Sequence, residues 1–181
     1  MKILIGITSS IAAYRIPNLV SQLKKQGHEI VTMMSEATKS FVAPQALAVM
    51  SQNKCYEDKD EWTNTADVLH IKLAKWCDLC LVAPLTANTL AKFANGICDN
   101  LVSSVIRALG DKKLILAPAM NTKMWENKIT YRHLELVKEY YNIQIINPVE
   151  KILADGDEGM GGLAEDKTIL ETINSNGEKQ N

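Results

Sequence analysis

The segment Ala117-Pro118-Ala119-Met120-Asn121-Thr122-Lys123-Met124-Trp125 puts a neutral amide just past the apolar run Lys113-Leu114-Ile115-Leu116. A Pro-bounded turn at the end of a buried strand holds its residues where open α/β sheets bind ligands, and an Asn side chain both donates and accepts hydrogen bonds. Asn121 can therefore grip a carboxylate or an amide on a small substrate, although turn chemistry alone would also account for it. Its company decides between the two. Small or hydroxyl residues recur at the ends of three other apolar runs: Thr8-Ser9-Ser10, Ser35-Glu36-Ala37-Thr38 and Pro84-Leu85-Thr86-Ala87-Asn88-Thr89. Hydroxyls and backbone N–H groups at helix starts make a cradle for a phosphate. Each segment alone is an ordinary cap; four on one rim point to a phosphorylated cofactor. The first turn, Gly6-Ile7-Thr8-Ser9-Ser10-Ile11, lacks the G-x-G-x-x-G spacing of dinucleotide binders, and no G-x-x-x-x-G-K-[ST] loop occurs. A mononucleotide such as FMN fits better than NAD.

The elements that must position these residues follow from apolar spacing. Lys2 to Ile7 is a short apolar run, and Ile11, Ala12, Tyr14, Ile16, Leu19, Val20 and Leu23 follow at helical intervals. Gly27 stops that helix, and His28 to Met34 makes a second strand. A less regular stretch carries helical spacing around Ala46 to Met50; Asp78 to Ala83 and Leu114 to Ala117 are further buried strands. Helices are expected at 86–95, 99–109 and 130–141, a last strand at Ile143 to Ile146, and a frayed polar tail from Asn174 to Asn181. Strands alternating with helices imply right-handed crossovers and a mostly parallel sheet with helices on both faces. The expected architecture is a single-domain α/β fold, doubly wound in the Rossmann-like or flavodoxin-like manner, spanning residues 1–174 with a tail at 175–181. Ligands in such sheets lie beyond the carboxyl ends of the strands, where all four polar segments fall.

Composition excludes several classes. The chain has 181 residues, 46% hydrophobic and 23% charged, enough for one well-packed domain and too few for two of ordinary size. Net charge is −1 and the basic residues are scattered, which leaves no electrostatic footprint for nucleic acid. No stretch of about eighteen uninterrupted apolar residues and no signal-peptide pattern occurs, so a cytoplasmic location is expected. Cys77 and Cys80 form a CxxC, but the pair straddles the start of a buried strand and no second pair completes a metal set. Small apolar core residues are the expected role.

Four motifs carry a resemblance. Val68-Leu69-His70-Ile71-Lys72-Leu73, Ala83-Pro84-Leu85-Thr86-Ala87-Asn88-Thr89, Asn95-Gly96-Ile97-Cys98-Asp99-Asn100-Leu101 and Pro118-Ala119-Met120-Asn121-Thr122-Lys123-Met124-Trp125 resemble, in order and spacing, the signatures of the homo-oligomeric flavin-containing cysteine decarboxylases. The similarity runs from about Lys2 to Ile173. It implies FMN as cofactor, contacted by Ser9, Ser10, Ile11, Ser35, Thr38, Thr86, Ala87, Asn88, Thr89 and Ala119. It implies that His70 is the active-site base, that Asn121 holds the carboxylate of the substrate's cysteine moiety, and that Met124 and Ala154 join it as substrate contacts. Without the neighbouring motifs His70 would read as a satisfied core histidine at a strand end. Asp99 and Asn100 would help build the same site, across a subunit boundary, because the family forms trimers or assemblies of trimers. Lys72, Lys92 and Lys123 lie beside the motifs and read as solvated surface lysines.

The activity implied is FMN-dependent decarboxylation of a small-molecule substrate, 4′-phosphopantothenoylcysteine, on the route to coenzyme A. A carboxylate on an unactivated carbon does not leave, since the electrons have nowhere to go. In the family, oxidation of the thiol-bearing carbon to a thioaldehyde places the carboxylate β to an electron-accepting C=S, and loss of carbon dioxide leaves an enethiolate. Imidazole, which titrates near neutrality as a residue type, suits the proton movement, and a neutral Asn orients the carboxylate without opposing its loss.

One position departs from the pattern. The segment Leu153-Ala154-Asp155-Gly156-Asp157-Glu158-Gly159-Met160-Gly161-Gly162-Leu163-Ala164-Glu165, within a clamp at 151–165, resembles the family's glycine-rich lid, but Asp155 stands where the family has a proton-donating cysteine. A thiol titrates at roughly 8.5 and an Asp at roughly 3.9, so an exposed Asp is ionised at neutral pH. Three readings remain open: burial under the lid restores a donor, the residue is a substitution that traps the enethiol, or the native reaction stops there. The last corresponds to the family's oxidative decarboxylases of peptide C-terminal cysteines. A further alternative is a partner subunit that lends His70 to a mixed trimer.

Overall fold

Lys2-Ile3-Leu4-Ile5-Gly6-Ile7 carries apolar side chains at odd and even positions alike, the pattern of a strand covered on both faces. In the computed structural model, which describes residues 1–63, 67–152, 156 and 158–178, these residues form β1 (Lys2–Ile7), buried from Ile3 onward. A 3₁₀ turn over Ile11–Arg15 leads into α1 (Ile16–Lys25), with Pro17 in the first turn, where its missing N–H costs nothing. Then follow β2 (Glu29–Met34), a 3₁₀ turn over Glu36–Ser40, α2 (Pro44–Ser51), β3 (Cys55–Glu57), a 3₁₀ turn over Asp58–Trp62 and α3 (Leu69–Trp76). The second half comprises β4 (Leu79–Leu85), α4 (Ala87–Asn95), α5 (Leu101–Arg107), β5 (Lys113–Pro118), α6 (Thr122–Trp125), α7 (Lys128–Tyr140) and β6 (Ile143–Ile145). It closes with an antiparallel pair, β7 (Val149–Ile152) and β8 (Glu158–Gly162), and α8 (Asp166–Glu178).

The six strands of the main sheet pair in parallel in the order β3-β2-β1-β4-β5-β6. This is the doubly wound order of Rossmann type, and the winding reverses between β1 and β4. Alternate residues of each strand feed two apolar layers. Ile3, Ile5, Ile7, Leu81 and Ile115 join Leu19 and Leu23 of α1, Leu47 of α2 and Ile169 of α8 on one face. Leu4, Val82, Leu114 and Leu116 join Leu73 of α3, Phe93 of α4, Val105 of α5 and Val137 of α7 on the other. Cys77 and Cys80 are buried in this second layer, as expected of core residues, and burial pushes both thiols above their usual range.

Three stretches differ from the sequence expectations. Residues 55–76 hold β3, a 3₁₀ turn and α3, all too short for a periodic signal. The hairpin lies in a glycine-rich segment with no continuous apolar run. The polar residues from Asn174 onward continue α8 to Glu178 rather than fraying at once. Asn176 Nδ2 donates to Gln144 Oε1 at 2.9 Å, and His28 Nε2 lies 3.2 Å from Asn174 Oδ1, so tertiary partners hold what composition marks as a tail.

Candidate functional site

At the reversal point one hydroxyl ties two strand ends together. The buried Thr8 donates to the Pro84 carbonyl at 2.7 Å and accepts from the Thr86 N–H at 3.0 Å, joining the end of β1 to the end of β4. Thr86 caps α4, accepting from the Thr89 N–H at 3.3 Å, and Ser10 caps the 3₁₀ turn after β1, accepting from Ala12 N–H at 3.4 Å. Thr38 donates to Ile7 O at 3.1 Å, so its contact with Ser35 at 2.9 Å has Ser35 as donor, a relay from β2 to β1. Ala119 N–H donates to Leu85 O at 3.0 Å and fastens the end of β5 to β4. The first N–H groups of α4, at Ala87 and Asn88, have no intrahelical acceptor by the geometry of a helix start.

A cavity of about 440 Å³ opens on this rim. Ser10, Ile11 and Arg15 form one wall, Ala119, Met120 and Asn121 a second, and Lys151, Ile152 and Gly161 of the hairpin a third. That volume falls within the range of roughly 300–1,000 Å³ usual for small-molecule sites. Its surfaces fit a flat, largely apolar ring: Ile11, Ala119 and Met120 are apolar, and capped helix starts adjoin for an anionic arm. Of the residues expected to hold FMN, Ser10, Ile11 and Ala119 line the cavity itself. Ser9, Ser35, Thr38, Thr86, Ala87, Asn88 and Thr89 sit along the neighbouring strand ends, with Thr38 fully buried beneath the rim.

Asn121 is the N-cap of α6. Its Oδ1 accepts from the Lys123 N–H at 2.8 Å. Met124, three residues on, is 48% exposed and does not line the cavity. Ala154 and Asp155 lie outside the described residues.

The hairpin is latched to the Asn121 loop through Met120 N–H, which donates to Gly161 O at 3.0 Å. Gly161 has φ +152°, and a Cβ there would stand 2.2 Å from the Met120 carbonyl oxygen. Gly161→Ala must push the hairpin off the loop, at a cost of about 1–3 kcal/mol for overpacking. The expected result is faster hydrogen exchange at the Met120 amide; unchanged protection there would show that the loop absorbs the methyl group.

His70 occupies the first turn of α3, not a strand end as the core-histidine reading had it, and it does not line the cavity of its own chain. Its Nδ1 lies 2.5 Å from Glu61 Oε1, and its backbone N–H donates to Glu61 Oε2 at 3.1 Å. Glu61 was missed in the sequence because nothing periodic marks residues 58–62. The turn that carries it is itself pinned. Asp58 accepts from the Leu101 N–H at 2.9 Å and the Glu36 N–H at 3.1 Å, tying it to the start of α5 beside Asp99 and Asn100. Asn100 caps α5 by accepting from Ser103 N–H at 2.9 Å, and Asp99 pairs with Lys92 at 2.7 Å. Lys72 pairs with Asp67 at 2.9 Å.

Two further carboxylates hold the same turn. Lys39 and Lys59 hold the Glu57 carboxyl below its usual range. Burial pushes Asp60 up, but Lys54 at 2.8 Å and the Glu57 N–H at 2.9 Å outweigh it and the net shift is downward. Groups depressed on folding contribute stability that is present above their unfolded pKa and lost as pH falls through the folded value. The urea midpoint should therefore drop as pH falls below about 4, the ordinary carboxylate range. Glu57→Gln should flatten that dependence; an unaltered slope would assign it to other groups.

Two basic residues of the cavity were also missed. Arg15 donates to Leu163 O and Ala164 O, both at 2.9 Å, and to Asp166 at 2.6 Å. Lys151 pairs with Glu165 at 2.7 Å, which holds that carboxyl below its usual range. Their partners lie near residue 165, a separation that local sequence patterns do not register.

The Flavoprotein family model matches residues 1–177. Phosphopantothenoylcysteine decarboxylase of Mus musculus is 43% identical over 178 residues, covering 95% of this chain and 85% of that protein. A probable thymidylate synthase of Schizosaccharomyces pombe is 43% identical over 93% of this chain, which spans only 28% of that protein's length. Among solved structures, a PPC decarboxylase mutant complexed with pantothenoylaminoethenethiol superposes with a TM-score of 0.90 at 38% identity, covering 98% of both chains. The FMN binding protein AtHal3 gives a TM-score of 0.87 at 39% identity, covering 99% of this chain and 98% of that one.

Proposed function

The chain belongs to the flavoprotein family, and on that premise we propose that it is an FMN-dependent decarboxylase converting 4′-phosphopantothenoylcysteine to 4′-phosphopantetheine in the cytoplasm. The observation that carries the reading is one cavity, at the point where the sheet winding reverses, walled by Ser10, Ile11, Ala119 and Asn121. It is supported by likeness over nearly the whole chain to relatives bearing that name. No helix among the described residues is long and apolar enough to cross a membrane.

Bound in this cavity, FMN supplies the two-electron oxidation of the thiol-bearing carbon that makes loss of carbon dioxide feasible. The chain's own groups do the rest. Asn121, a neutral side chain on the cavity wall, holds the substrate carboxylate in place while adding no charge that would stabilise it against departure. The hairpin wall, latched by Met120 and Gly161, excludes water from the reacting carbon. His70 takes the proton of the substrate thiol. Since it does not line its own chain's cavity, we place it at the cavity of a neighbouring copy in a homotrimer. Trp62 and Val68, 84% and 57% exposed and both a few residues before His70 in the chain, are apolar surface that such an interface would cover.

A second reading is favoured by one residue. With Asp155 in place of the family's cysteine, the reaction stops at the enethiol, as in an oxidative decarboxylase of peptide C-terminal cysteines. Purified protein should be yellow with flavin absorption bands, and a colourless preparation that takes up no FMN would overturn both readings. Product mass separates them. Loss of carbon dioxide alone marks the full reaction, and a further loss of two hydrogens marks the enethiol. In the second case Asp155→Cys should raise the fully reduced product.

A further inference from the structure

The contact between Glu61 and His70 does more than cap a helix. One carboxylate engages two groups of the same residue: Oε1 the ring at Nδ1, 2.5 Å away, and Oε2 the backbone N–H, 3.1 Å away. The Glu61 side chain is 11% exposed and the imidazole 29%, so water competes weakly for the contact. Asp58, three residues earlier in the same 3₁₀ turn, fixes that turn to the backbone of Leu101 and Glu36, and Asp60 closes it on the Glu57 N–H.

We propose that Glu61 is a positioning residue for His70, fixing the proton on Nδ1 so that Nε2 is the nitrogen that accepts the substrate's thiol proton. An ionised carboxylate only accepts hydrogen bonds, so the ring nitrogen facing it carries the proton, and the lone pair of the neutral imidazole is then at Nε2. When Nε2 takes the thiol proton, the positive charge formed lies against the Glu61 carboxylate and needs no reorganisation to be met. The backbone contact to Oε2 sets the start of α3 at the same time, so ring and helix cannot shift independently. This inference rests on the decarboxylase reading for what His70 does, but the placement of the proton is a property of the chain itself.

The test is the tautomer of His70 in the flavin-loaded full chain, read from the nitrogen chemical shifts of isotope-labelled histidine. The chain has three histidines, and the His70 signals are those lost in His70→Asn. The expected result is the Nδ1–H form in the unsubstituted protein. In Glu61→Gln a single amide oxygen cannot accept from both groups; with the backbone N–H kept, the NH₂ meets the ring and the proton moves to Nε2. Flavin reduction by substrate in a single turnover should then fall about 100-fold, the lower end of what a positioned base contributes, with flavin content and melting temperature unchanged. An Nε2–H ring in the unsubstituted protein, readable even if the variant fails to fold, would overturn the proposal, as would an unchanged tautomer or reduction rate in Glu61→Gln. If His70→Asn itself leaves flavin reduction intact, it is the decarboxylase reading that fails, and the tautomer still judges Glu61.

Discussion

His70→Asn leaves the protein yellow and folded but unable to pass electrons from substrate to flavin. The proposed cofactor cavity is lined by Ser10, Ile11, Ala119 and Asn121, and His70 is not part of that lining. An Asn amide can still donate to Glu61, so the start of α3 and the turn beneath it keep their anchor. What the amide cannot do is take a proton. A positioned acid–base group contributes typically two to four orders of magnitude, and flavin reduction in an anaerobic single turnover should fall by about 10²–10⁴ at unchanged flavin content. Persistent bleaching of the flavin band at the original rate would remove His70 from the chemistry and return it to a surface role.

Asn121→Asp separates the cap from the ligand contact. Asp caps helices about as well as Asn, and its carboxylate can still accept from the Lys123 N–H, so the cap of α6 should hold. The change removes the Nδ2 donor and sets a negative charge where the substrate carboxylate is proposed to lie. A hydrogen bond to a charged group contributes about 1.5–3 kcal/mol, and like-charge repulsion adds to its loss. Since about 1.4 kcal/mol is a factor of ten, kcat/KM should fall by about 100-fold or more. Steady-state decarboxylation, read as carbon dioxide release, checks this; unchanged kinetics would confine Asn121 to holding the turn.

Much of this was legible in the chain because the central strands are buried on both faces and announce themselves as unbroken apolar runs. Lys2–Ile7 was read to the residue, and β2, β4 and β5 to within one or two. The polar strand ends followed, since in a parallel sheet whatever comes after such a run faces the ligand side. The supporting groups did not follow. Glu61 lies nine residues from the histidine it holds, in a turn too short to show a period, and Arg15 meets partners 148 residues or more away in sequence. Side-chain partnerships across such separations are set by tertiary packing, which a local pattern does not encode. Met124 shows the converse limit: a motif position carried over by likeness, yet outside the cavity of its own chain.

The Arg15 guanidinium has a bearing on how the protein is made. It sits on the turn that follows the first strand, yet its acceptors are Leu163, Ala164 and Asp166. During synthesis the early strands can collapse and bury their apolar faces while this side chain still has no partner. The cavity is therefore finished late: a nascent chain halted before the hairpin at 149–162 has a sheet but lacks the third wall. Capture of a small molecule in this pocket would then follow formation of the hairpin rather than assist the early collapse of the sheet.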